Sequence, residues 1–326
     1  MKYISFRRYT KKVNRNKPLF TPGPAAISEE NLNGLGPAFG RGDSKFKGIE
    51  SEVENWLMKL SGKSNVLSLQ GSGSLACEIA VNNFLYGEIL VIKSGFYSDR
   101  LYQMISQKFN SHSIDYIEYK EISKIERNYQ WVVACYVETS NAFKLDLHVV
   151  KDLALKCNSK LLIDATASIG LEKDHYLADV ICFSSCKGLF GLTGAAFIAF
   201  EEKPSDKNCE SFYLDFQTHY NHLITGPYHA LQSLVNVIPV HEQMVSSVRK
   251  NKEVFLEKFK NYIVHAESNQ PLIATLVNAK IISSDENAIL YSPRKVTSGS
   301  IISHLGEVYL KNKAKGKLNK LLEIAQ

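Results

Sequence analysis

Asp164 and Lys187 are the two side chains in this sequence whose positions most need a chemical explanation. Leu161-Leu162-Ile163 runs into Asp164-Ala165-Thr166-Ala167-Ser168, and Val180-Ile181-Cys182-Phe183 runs into Ser184-Ser185-Cys186-Lys187-Gly188. An acid and an amine at the ends of two buried strands are costly, because a charge moved out of water loses its solvation. A bound cofactor with a basic ring nitrogen for the acid and an aldehyde for the amine would compensate both. Pyridoxal 5'-phosphate has those two groups. On this reading Lys187 is the Schiff-base amine, and Asp164 pairs with the protonated pyridine nitrogen and keeps the ring an electron sink. The plainer alternatives are a surface lysine at a strand end and an aspartate that caps a helix ahead of Ala165.

Other segments can be tested against the same cofactor. Gln70-Gly71-Ser72-Gly73-Ser74 joins an apolar run to a helical pattern beginning near Leu75. Glycines let a backbone approach a phosphate, and a new helix offers free N–H groups and the positive end of its dipole. Ser72, Gly73 and Ser74 are therefore candidate phosphate ligands, although the turn is neither a P-loop nor GxGxxG. Tyr97 follows Gly95-Phe96 and is a candidate to stack on the cofactor ring; Thr139 is a candidate partner for its phenolic oxygen. The six cysteines, at 77, 135, 157, 182, 186 and 209, form no CxxC pair. They read as reduced thiols of a cytoplasmic protein, and no metal site is expected.

The elements that must position these residues follow from periodicity. Runs apolar on both faces recur at 66–69, 89–92, 131–136, 161–163, 180–183 and 195–200, as in strands buried within a parallel sheet. Helical patterns over 75–85, 99–109 and 147–156 alternate with them. The expected fold is α/β, a mostly parallel central sheet with helices on both faces. Ligands of such sheets bind beyond the carboxyl ends of the strands, where Asp164, Lys187, Glu138-Thr139-Ser140 and the 70–74 turn all fall. After about residue 230 the alternation gives way to long helices such as 241–262 and a short α+β portion. The expected division is a basic arm over 1–20, a large domain over 21–235 and a small C-terminal α+β domain over 236–326. The arm lacks the apolar core of a signal peptide; a loose basic arm is preferred to a mitochondrial presequence. With 326 residues, 44% hydrophobic and a net charge of +6, the chain has no run long enough to span a membrane, and nucleic-acid binding is not expected.

In their order along the chain, these segments resemble the class V aminotransferases of the fold-type I enzymes that use pyridoxal phosphate. Thr21-Pro22-Gly23-Pro24 is similar to the family's opening TPGP, and residues 70–74 to its QGSGT turn. Ser94 to Arg100 is similar to NGxYGxR, Val137 to Ser140 to HxETST, Ile163 to Ser168 to VDAxSS, and Ser184 to Gly188 to SSxKG. The alanine:glyoxylate and 2-aminoethylphosphonate:pyruvate transaminases are the most similar branches. The resemblance implies a fold-type I homodimer with a shared active site, in which Thr225 reaches the partner's cofactor phosphate.

Three positions depart from the family pattern. Cys186 stands where Gln, Asn or His usually precedes the lysine, and a thiol is a weak hydrogen-bond donor. The family's His-Arg pair maps onto Arg41-Gly42. Ile301 occupies the place of the arginine that grips a substrate carboxylate, leaving Arg41 and Arg294 as candidate substrate ligands. The resemblance implies an aminotransferase moving an amino group from a small primary amine, 2-aminoethylphosphonate-like or phosphorylated, or from an amino acid, to a keto acid such as pyruvate. A lyase or decarboxylase on the same fold is the alternative, followed by a non-catalytic binding protein. A cysteine desulfurase is not expected, because no cysteine follows residue 209.

Overall fold

The structure is a computed structural model and describes residues 18–24, 28, 30, 31, 35, 43–205, 209–294, 298–306, 308 and 318–325. Its centre is a sheet of seven strands: β1 (Asn65–Gln70), β2 (Ile89–Lys93), β3 (Ile114–Glu118), β4 (Trp131–Cys135), β5 (Lys160–Asp164), β6 (Val180–Ser184) and β7 (Ala195–Phe200). Across the sheet they lie in the order β1-β7-β6-β5-β4-β2-β3. Only β7 runs antiparallel to its neighbours, pairing Ala195 with Gln70 of β1 and Ala196 with Ser184 of β6. The start of β7 therefore shares an edge with the carboxyl ends of the other strands. Each expected strand is present to within a residue or two; β3, half-buried at the sheet's edge, was not anticipated.

Helices cover both faces because the central strands are apolar on both. Leu90, Ile92, Val132 and Ala134 point into one core, packed by α1 (Ser44–Ser61), α4 (Leu147–Lys156), α6 (Tyr228–Val237) and α7 (His241–Phe259). Ile89, Val91, Trp131 and Val133 point into the other, packed by α2 (Gly73–Asn83), α3 (Phe96–Lys108) and α5 (Phe216–Tyr220). Aspartates start α1 and α4: Asp43 accepts from Lys45 N–H at 2.8 Å, and Asp146 from His148 N–H at 2.9 Å, satisfying N–H groups that a helix leaves unpaired. α1 ends at Gly62, whose φ of 67° is left-handed. A third apolar cluster joins Phe20 to Phe255, Phe259, Val277, Ile281, Ile302, Leu318 and Leu322. The short pairs Ala274–Val277 with Ser300–Ser303, and Ile281–Ser283 with Leu322–Ile324, build it.

Candidate active site

A cavity of about 560 Å³ opens at the edge formed by the strands' carboxyl ends and the start of β7. Ser72, Gly73 and Ser74 enter it from the β1–α2 turn, Tyr97 from α3, and Thr139 from beyond β4. Cys186 and Lys187 enter from the turn after β6, and Arg294 from the C-terminal portion. Eight residues drawn from six sequence segments therefore meet in one space.

Lys187 Nζ lies 5.4 Å from the centre of the Tyr97 ring, and the Pro22-Gly23-Pro24 segment lines the cavity with it. Asp164 closes β5 and is only 3% exposed. Its Oδ1 accepts from Thr166 N–H at 2.9 Å, so the capping role and the buried-acid role coexist. Oδ2 faces Arg100 Nη2 at 4.0 Å. Arg100 lies one turn past Tyr97 on α3, and its guanidinium carbon is 4.8 Å from that ring. Arg100 was not among the expected site residues; its three-residue spacing from Tyr97 on one helix face was the available signal.

At the β1–α2 turn, Ser72 precedes the helix without making a side-chain cap, so the first-turn N–H groups have no capping side chain. A Cβ on Gly73 would run into Thr166 Oγ1, and only glycine leaves that cradle open. Thr139 Oγ1 and Thr166 Oγ1 are both buried without a hydrogen-bond partner. Tyr291, also unanticipated, lines the cavity and faces Thr139 without a bond of ordinary geometry between them. Burial pushes its phenol up to about 12, so it remains a donor at neutral pH. Cys186 is half-buried, with its Sγ 3.8 Å from Ser184 Oγ.

Two candidates lie elsewhere. Thr225 is outside this cavity; its neighbours Ile224 and Gly226 line a separate hollow of about 460 Å³ with Phe46 and Tyr228. Arg41 lies outside the described residues, as does the basic arm up to residue 17. Arg294 stays at the cavity, its guanidinium carbon 5.4 Å from the Phe96 ring. Ile301 is 1% exposed, pairs with Leu276 and belongs to the core. No cation is supplied from the family arginine's place. Among the described residues no group of His, Cys, Asp or Glu is arranged to hold a metal, and no helix is long and apolar enough to cross a membrane.

The turn that follows Asp164 is braced by a buried histidine: His175 Nε2 and Ser168 Oγ are hydrogen-bonded at 2.9 Å. Burial holds His175 down to about 4, so it is neutral in the fold and takes up a proton on unfolding below its ordinary value near 6.5. Its contribution is complete above pH 6.5 and is lost as pH falls toward 4, a change of about 3 kcal/mol. The buried acid Glu54, raised to about 7 chiefly by burial, opposes this trend, so the comparison must be between variants. The melting temperature of His175→Gln is expected to fall less steeply than wild type between pH 6.5 and 4.5. Parallel curves would show that His175 is not held neutral.

No protein-family model matches the chain. Against 2-aminoethylphosphonate–pyruvate transaminase of Pseudomonas aeruginosa it is 24% identical over 252 residues, 69% of this chain and 68% of that one. Two solved structures superpose over nearly the whole chain. Alanine–glyoxylate aminotransferase from Nostoc sp. does so with a TM-score of 0.77 at 16% identity, covering 94% of this chain and 95% of that one. Ureidoglycine–glyoxylate aminotransferase from Bacillus subtilis gives 0.73 at 17%, covering 94% and 96%. These superpositions carry the fold, and the sequence relative adds the activity class. With the cavity's residues in the expected order along that fold, the chain is an aminotransferase of the class V family, pyridoxal phosphate-dependent enzymes of fold type I.

Proposed function

We propose that this aminotransferase takes the amino group from a small primary amine bearing a phosphonate or phosphate, 2-aminoethylphosphonate-like, and delivers it to a keto acid such as pyruvate. The observation that carries the reading is the charge of the cavity wall. Arg100, Lys187 and Arg294 line it, and no Asp or Glu does so among the described residues. One anion, the cofactor's phosphate, leaves a basic side chain over for a second. That the relative in Pseudomonas aeruginosa is named for an aminophosphonate supports the same substrate class.

The residues present fit pyridoxal phosphate, since the unpartnered Thr139 and Thr166 hydroxyls and the Gly73 cradle await a polar occupant. When bound, the cofactor supplies an aldehyde for the lysine and a ring that draws electrons from the bond being broken. Ser72, Gly73, Ser74 and the first turn of α2 hold its phosphate. Tyr97 covers one ring face, Asp164 stands at the ring nitrogen, and Thr139 donates toward the phenolic oxygen. Cys186 offers only a weak contact beside them. Lys187 Nζ, once free, carries the proton away from the substrate carbon that bears the amine. Arg294 receives the substrate's anionic end. Thr225 belongs to the site of a partner subunit, in a homodimer. The free cysteines suit a cytoplasmic setting.

An amine screen without keto acid tests the reading. 2-Aminoethylphosphonate is expected to discharge the visible cofactor band once per active site, and pyruvate to restore it. Continuous release of CO2 or an eliminated product would instead indicate a lyase. A response to simple amino acids alone would remove the phosphonate class.

A further inference from the structure

Glu138 is fully buried at the end of the segment that follows β4, yet it does not line the cavity. Its carboxylate is instead spent on backbone. Oε2 accepts from Tyr97 N–H at 2.8 Å and from Ser98 N–H at 3.2 Å. Oε1 accepts from Ser140 N–H at 3.3 Å and from the Ser140 hydroxyl at 2.7 Å. The rest of the α3 start is accounted for around it. Phe96 N–H donates to Ser140 Oγ at 3.1 Å, and Ser94 and Gly95 N–H both donate to Ser98 Oγ at 2.9 Å. A Cβ on Gly95 would run into the Glu138 side chain, so the glycine is what lets the acid reach the helix. An anion at a helix N-terminus is favoured by the helix dipole, and burial strengthens each of these bonds.

The helix that Glu138 starts carries Tyr97, which faces Lys187, and Arg100, which faces Asp164. We propose that Glu138 is a positioning residue: it fixes the first turn of α3 and so aims the Tyr97 ring at the cofactor. The inference rests on the reading of Tyr97 as the residue that stacks on the ring. A carboxylate suits this position better than its amide. In Glu138→Gln the NH2 group would face either the two helix N–H groups or the N–H of Ser140, and one side of the junction would lose its acceptor.

The test is a double-mutant cycle on the holoenzyme, read by the dissociation constant for pyridoxal phosphate and by the circular dichroism of the bound cofactor's visible band. Glu138→Gln is expected to weaken cofactor binding about tenfold and to diminish the band. In a Tyr97→Ala background the same change is expected to add less than about twofold, because the residue it acts through is gone. Equal effects in both backgrounds would show that Glu138 serves the fold alone and overturn the proposal. A silent Glu138→Gln beside a damaging Tyr97→Ala would overturn it and leave Tyr97's role standing. A silent Tyr97→Ala would remove Tyr97 from the cofactor, and the inference with it. Should Glu138→Gln fail to fold, Ser140→Ala removes one donor to the same carboxylate and the acceptor of Phe96 N–H. A shift of about threefold that vanishes without Tyr97 is then expected, and a shift equal in both backgrounds overturns the proposal.

Discussion

Lys187→Ala is expected to abolish turnover while leaving the fold intact. The side chain is only half-buried and lies in a cavity rather than in a packed core, so its loss should change stability by less than about 1 kcal/mol. The chemical loss is far larger. In the proposed roles the same amine anchors the cofactor and moves the substrate's proton, and general acid–base catalysis alone contributes about 10² to 10⁴-fold. No other lysine lines the cavity among the described residues, and Arg100 and Arg294 remain protonated at any pH the enzyme meets. Neither can replace it as a base. Reduction with borohydride, followed by mass spectrometry, should fix the cofactor's mass to Lys187 in wild type and nowhere in the variant. Turnover by Lys187→Ala within tenfold of wild type would remove the lysine from the chemistry.

Much of this site was legible because it is built from strand ends. A parallel strand buried on both faces announces itself as a short apolar run, and the polar residues that follow must lie along the sheet's ligand-binding edge. Ser72, Thr139, Asp164 and Lys187 could all be placed in that way before their contacts were known. The edge strand β3, Ile114–Glu118, escaped because it is half-buried and does not read as a continuous apolar run. Helix α1 escaped although Phe46, Val53 and Leu57 are buried at helical spacing; its signal was present and was not weighed. Glu138 and Tyr291 illustrate a real limit. Glu138 meets a helix 40 residues earlier in the chain, and Tyr291 enters the cavity from the C-terminal portion. No local spacing encodes either contact. The loss of arginine at position 301 was legible, but its cause was not: Ile301 fills a core position between sheet partners, where a cation would be buried without a partner.

The second large effect is expected at Asp164, where two substitutions separate charge from geometry. Asp164→Asn keeps an oxygen for Thr166 N–H, now bonded to Oδ1 at 2.9 Å, and removes only the negative charge. Asp164→Ala removes both. If the carboxylate acts by holding positive charge on the ring nitrogen, the asparagine variant should lose most of the rate. Removing one preorganised electrostatic partner typically costs about 10² to 10³-fold. The two variants should then differ by little in rate and mainly in stability, where the alanine also loses the turn's hydrogen bond, worth about 1 kcal/mol. Arg100, 4.0 Å away, sharpens the comparison. With Asp164 neutral its guanidinium has no acid opposite it in the cavity wall and repels a protonated ring nitrogen, which adds to the loss. The measurement is the single-turnover rate of proton removal from the amine-bearing carbon, made with cofactor saturating so that weakened binding does not contribute. A near-normal rate in Asp164→Asn together with a slow Asp164→Ala would assign the residue to the turn. A near-normal rate in both would take Asp164 out of the chemistry.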